Sequence, residues 1–114
     1  MRILLVEDDL PLAEALTTLL LGVGYAVDVT HDGLSAETLI GAERFDLVIL
    51  DLNLPEKDGL SVLRSLRGRK NPVPIIATQP SALQNVAEAA NDIVERVRLI
   101  LSDENIQRIT GALD

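Results

Sequence analysis

Two short stretches hold the residues whose chemistry stands out. Glu7, Asp8 and Asp9 follow the apolar run RILLV at residues 2–6, and Asp51 interrupts the apolar run from Val48 to Leu52. A carboxylate at the edge of a buried strand is costly unless something compensates it. Glu7, Asp8 and Asp51 together suit a hard divalent cation. Magnesium takes oxygen ligands and keeps several waters, so two carboxylates and a backbone carbonyl suffice. With the ion bound, all the acids can stay ionised. Without it, their repulsion raises at least one pKa. One of them could also attack a phosphoryl donor, the metal offsetting charge on the transferring group. The plainer reading is a set of ordinary surface acids at loop starts, since short motifs give false positives.

For these acids to meet, the chain must bring distant segments together. Residues 2–6 form a short continuous apolar run, as expected of a strand covered on both faces. Leu12, Leu16, Leu19 and Leu20 recur at helical spacing over 11–24, with Pro11 suited to a first turn and Gly22 or Gly24 to a stop. Residues 26–30 (AVDVT) alternate like a strand, His31-Asp32-Gly33 turns the chain, and 34–42 reads as a second helix. A third strand covers 47–51, a loop with Pro55 covers 53–58, and a third helix covers 59–67. A basic, turn-rich linker at 68–72 leads to a fourth strand at 74–78 (PIIAT). This alternation predicts an α/β fold, a parallel sheet with crossover helices. Ligand sites in such sheets lie at the carboxyl ends of central strands, which puts Glu7, Asp8 and Asp51 at one edge.

After Thr78 the rhythm changes. Leu83, Val86, Ala87, Ala90, Ile93, Val94, Val97, Ile100 and Leu101 trace one stripe of a long helix over 81–101, about five turns. Ser102-Asp103 reads as a break and an N-cap, followed by a short helix with Ile106, Ile109 and Leu113 on one side. No fifth strand, internal repeat or low-complexity segment is visible. The expected division is a sheet unit at 1–78 and a helical extension at 79–114.

Composition narrows the classes. The 114 residues suit one domain, with 47% hydrophobic residues but only Phe45 and Tyr25 as aromatics, so the core must be aliphatic. So few rings argue against stacking on single-stranded bases. A net charge of −8 argues against non-specific binding to nucleic acid or anionic membrane. The absence of cysteine excludes disulfides and thiolate chemistry. The N-terminal apolar run is too short for a signal peptide and no segment could span a bilayer, so the cytoplasm is the expected location.

The pair ILLVEDD and LVILDLNLP-x-x-DG, with a Leu-rich helix after the first, resembles the receiver domain of bacterial two-component response regulators over residues 1 to 78. Either motif alone is weak; both at this separation are specific. The resemblance implies a flavodoxin-like fold, a signalling role rather than an enzymatic one, and phosphorylation on an aspartate by a histidine kinase. By position it implies Asp51 as phospho-acceptor, Asp8 as direct Mg2+ ligand, Glu7 as an acid acting through water, and Asn53 as the residue whose main-chain carbonyl completes the metal site. Pro55 and Gly59 match the loop that shapes that site. Asp9 has no counterpart and reads as a cap of the first helix.

The chain also departs from the family pattern. Thr78 is the only candidate for the switch hydroxyl after the fourth strand, but it comes one step early after Pro74, and a one-residue slip on a strand reverses the face. The family's lysine before a proline is missing. Lys57 and Lys70 lie in loop contexts and read as solvated surface charges, and His31 as a plain turn residue. The fourth helix, fifth strand and fifth helix are not recognisable. A bare sheet face would result, to be covered by the long helix folding back or by a second copy; the expectation is a homodimer through that helix and the exposed sheet. The ending LILSDENIQRITGALD is faintly similar to the C-terminal region of MCE-type lipid-transport proteins. No output domain and no basic helix pair for DNA is visible. The expected function is thus a truncated receiver that accepts phosphate at Asp51 but switches poorly. The alternatives are a phosphorylation-independent interaction module and an aspartate-nucleophile phosphohydrolase.

Overall fold

A computed structural model describes residues 1–54, 57–79 and 85–102. The elements run β1 (Arg2–Val6), α1 (Leu10–Val23), β2 (Ala26–Thr30), α2 (Gly33–Ala42), β3 (Leu47–Asp51), α3 (Gly59–Gly68), β4 (Ile75–Thr78) and α4 (Val86–Ile100). The strands pair in parallel in the order β2-β1-β3-β4. The flavodoxin-like α/β architecture expected from the sequence is therefore present.

Boundaries shift where local chemistry decides them. Asp32 caps α2, its carboxylate accepting from Ser35 N at 2.8 Å, so the helix begins at Gly33 rather than Leu34. β4 begins at Ile75, because Pro74 has no N–H to give the ladder, although its carbonyl still accepts from Val48 N at 2.9 Å. α1 ends at Gly24, whose φ of +110° is readily reached without a side chain. The long helix expected at 81–101 is a 15-residue helix from Val86, about four turns, capped by Asn85 accepting from Glu88 N at 2.8 Å. The short helix expected around Ile106, Ile109 and Leu113 lies outside the described residues.

Each strand alternates its side chains between two aliphatic cores. Ile3, Leu5, Leu47, Ile49 and Ile76 face α1 and α4, meeting Leu12, Leu16 and Leu20 on one helix and Ala90, Ile93, Val94 and Val97 on the other. Leu4, Val6, Val48 and Leu50 face α2 and α3, meeting Ala36, Ile40, Val62 and Leu66. The stripe of α4 thus packs on the sheet of its own chain beside α1. Of the two placements open from the sequence, folding back is the one the structure has. β4 has no partner on its outer edge among the described residues. None of the described helices is long and apolar enough to cross a membrane.

If α4 is structural in this way, Ile93→Ala should cost about 2–5 kcal/mol of unfolding free energy. The exposed Leu21→Ala should stay within about 0.5 kcal/mol. Urea unfolding of the two variants checks the contrast.

Candidate functional site

The parallel pairing of β1 with β3 sets Val6 beside Leu50. The next residue on each strand path is an acid, so Glu7 and Asp51 arrive together at the carboxyl edge. One carboxylate oxygen from each of Glu7, Asp8 and Asp51 lies within 4.8 Å of the others. Glu7 is 2% exposed and Asp51 4%, whereas Asp8 is exposed. The plain reading of scattered surface acids does not describe this arrangement.

The local hydrogen bonds hold the acids in place. Asp9 N donates to Glu7 Oε2 at 3.1 Å, and Asn53 N donates to Asp51 Oδ1 at 2.8 Å. Glu7 N donates to Thr30 O at 3.0 Å, fastening the end of β1 to β2. Burial, and then contact with the Asp51 carboxyl, pushes Glu7 up to about 8, partly offset by the Asp9 N–H. Among the described residues the ion pairs involve Arg2, Lys57, Arg96 and Arg98, and none reaches these acids. Two buried carboxyls therefore face each other without a cationic side chain paired to them. The donors are all hard oxygen, which fits Mg2+ and not a metal preferring nitrogen or sulfur.

Thr78 is the register partner of Asp51 on β4, so the two side chains leave the sheet on the same face. The start of β4 at Ile75 therefore does not throw Thr78 onto the opposite face. Its hydroxyl is buried and 3.5 Å from the Leu50 carbonyl, the outer limit of a hydrogen bond. Asn53 lies two residues beyond Asp51 and is exposed. Gly59 packs so closely that a Cβ there would lie 2.2 Å from the Asp51 carbonyl oxygen, and its N–H donates to Leu52 O at 3.2 Å. Pro55 is outside the described residues.

Two side chains, Lys57 and His31, differ from their sequence reading or add to it. Lys57 is not a solvated charge: its Nζ is 2.7 Å from Oε2 of buried Glu37. Lys70 is exposed, as expected, with a φ of +59° just after α3. His31 is more than a turn residue, since its Nδ1 lies 2.9 Å from the Glu7 carbonyl oxygen and links two strand ends. Nothing in the sequence pairs residues 7 and 31; only the β1–β2 register does. Asp9 caps α1 as expected, accepting from Leu12 N at 3.2 Å.

The raised Glu7 pKa has a sign that can be checked. Between its ordinary value of 4.5 and about 8, the folded state binds more protons than the unfolded chain. The resulting stabilisation is full below that window and is lost as pH rises through it. The ion-free protein in chelator should therefore melt at progressively lower temperature from pH 5 to 8, and Glu7→Gln should flatten that slope in circular-dichroism melts.

Comparison with known proteins gives the same family from an independent direction. The response regulator receiver domain family matches residues 3–95, past the end of β4 and into α4. The transcriptional regulatory protein TctD of Salmonella typhimurium is 40% identical over 92 residues, 80% of this chain and 41% of that protein. The response regulator MprA of Mycobacterium tuberculosis is 38% identical over 96 residues, 84% of this chain and 38% of that protein. The chain thus spans about two-fifths of the length of these relatives. Among solved structures, the response regulator TrrA of Thermotoga maritima, in complex with Mg2+-BeF, superposes with a TM-score of 0.74 at 28% identity, covering 88% of this chain and 98% of that one. The likeness of the C-terminal ending to lipid-transport proteins is not borne out. Sequence motifs, sheet order and relatives agree that this chain belongs to the response regulator receiver domain family.

Proposed function

We propose that this receiver domain accepts a phosphoryl group on Asp51 from a histidine kinase, with Mg2+ held by Glu7, Asp8, Asp51 and the main-chain carbonyl of Asn53. The observation that carries the reading is the convergence of Glu7, Asp8 and Asp51 within 4.8 Å at the ends of β1 and β3. Mg2+ would supply the positive charge that the acids need and that a transferring phosphoryl group needs. Oδ1 of Asp51 is engaged by the Asn53 N–H, which leaves Oδ2 to attack phosphorus. The new bond is Asp51 Oδ2–P; the bond broken is P–N of the donor imidazole, which leaves with a proton. The Asn53 carbonyl is assigned to the ion from the family pattern, its N–H being engaged by Asp51. Thr78, beside Asp51 in the sheet, is suited to donate its hydroxyl to a phosphoryl oxygen.

The chain acts here as a stoichiometric acceptor and not as a turnover catalyst. Switching beyond phosphorylation is weakened, because among the described residues no ammonium pairs with Asp51. A docking partner is favoured by four exposed apolar side chains, Leu10, Leu34, Leu60 and Val86. Each sits in the first turn of its helix, at the same sheet edge as the acids. We place the domain in the cytoplasm, where such a kinase delivers its phosphoryl group. A second reading, a phosphorylation-independent module that pairs copies, is favoured by the open outer edge of β4 among the described residues. Light scattering tests it: a monomer overturns the second reading.

Intact-mass spectrometry after treatment with a small phosphoramidate donor tests the main reading. One phosphoryl group should be added in Mg2+, and none with chelator or in Asp51→Asn. No addition to the wild type in Mg2+ overturns it. Calorimetry at pH 7 in buffers of differing ionisation enthalpy should also show about one proton released on Mg2+ uptake, because the bound ion favours ionised Glu7.

A further inference from the structure

Lys57 and Glu37 stand twenty residues apart, neither in the acidic site, yet they join two parts of the chain that bear on it. Glu37 lies on the inner side of α2 and is only 8% exposed. Its Oε2 accepts from Lys57 Nζ at 2.7 Å. That pairing holds the Glu37 carboxyl below the usual carboxylate range. Lys57 touches α2 a second time through its backbone. Gly33, one helical turn before Glu37, lies so near that a Cβ would meet the Lys57 carbonyl oxygen at 2.1 Å. The backbone of Lys57 is thus pressed on the first turn of α2 while its ammonium is tied to the next turn.

Two residues further on, the same chain presses on the end of β3. Gly59 faces the Asp51 carbonyl and Leu52 Cα at distances that leave no room for a methyl group. Between them Asp58 caps α3, accepting from Ser61 N at 2.8 Å, so this short span has little freedom to absorb a displacement. Backbone contacts and one ion pair therefore run from α2 to Asp51. Hydrogen-bonded groups behind metal ligands fix their orientation and are felt in affinity.

We propose that Lys57 is a positioning residue: its ion pair with Glu37 fixes the backbone that abuts Asp51, and so sets the Mg2+ affinity of a pocket it does not touch. This inference rests on the phospho-acceptor reading above. Arg67 donates to the carbonyls of Asn71 and Val73 and steadies the far end of α3, but nothing connects it to the acids. Lys57 differs because its neighbours in sequence contact the acceptor strand.

The test is calorimetric titration of the full chain with Mg2+ alone, at a temperature well below each variant's melting midpoint. Lys57→Met should weaken Mg2+ binding about tenfold and the milder Glu37→Gln about threefold. Glu37→Gln keeps the shape and an acceptor oxygen, so it decides the matter if Lys57→Met does not fold. A pair with a merely structural role would lower the midpoint and leave affinity unchanged; that result overturns the inference. A wild type that takes up no Mg2+ overturns the acceptor reading itself, and this inference with it. Wild-type binding with unaltered affinity in both variants overturns the inference alone.

Discussion

The structure turns on two carboxyl groups forced together in the dry end of a sheet. The β1–β3 pairing leaves Glu7 and Asp51 no choice, since each is the next residue along its strand path. Neither is exposed by more than 4%, and no basic side chain pairs with them among the described residues. Such a pair can hold one negative charge easily and two only with help from outside. The surroundings respond with backbone N–H groups from Asp9 and Asn53, which stabilise charge but do not cancel it.

The rest of the fold serves that edge. The four described helices begin there, capped by Asp9, Asp32, Asp58 and Asn85. The first of them meets the acids directly, the backbone N–H of its cap residue Asp9 donating to Glu7. Two aliphatic cores clamp the sheet from both faces, which fixes the strand register on which the meeting of Glu7, Asp51 and Thr78 depends.

Much of this was legible in the sequence because it is local. Apolar runs ending in an acid mark β1 and β3, and leucines at helical spacing mark α1. Asp9 reads as a cap from its position alone. The parallel-sheet rule then gathers the acids at one edge without any knowledge of contacts. Misplaced boundaries also have local causes. The apolar stripe extends back to Leu83 in sequence, whereas Asn85, with Glu88 three residues on, is the stronger signal for a helix start. What the sequence could not show is pairing across the chain: Lys57 with Glu37, and His31 with the Glu7 carbonyl. Those depend on how helices and loops settle against each other, not on any spacing. The side on which the last helix packs was equally hidden, since a stripe of Ala, Val and Ile suits either partner.

The packing of α4 beside α1 has a bearing on autonomy. Leu12, Leu16 and Leu20 look across at Ala90, Ile93 and Val97, not only down at the strands. A polypeptide stopped after β4 would leave those leucines bordering water along a whole missing neighbour. That side of the sheet is therefore closed only with the final described helix in place, and a fragment lacking it would be driven to cover itself with whatever greasy surface it encountered.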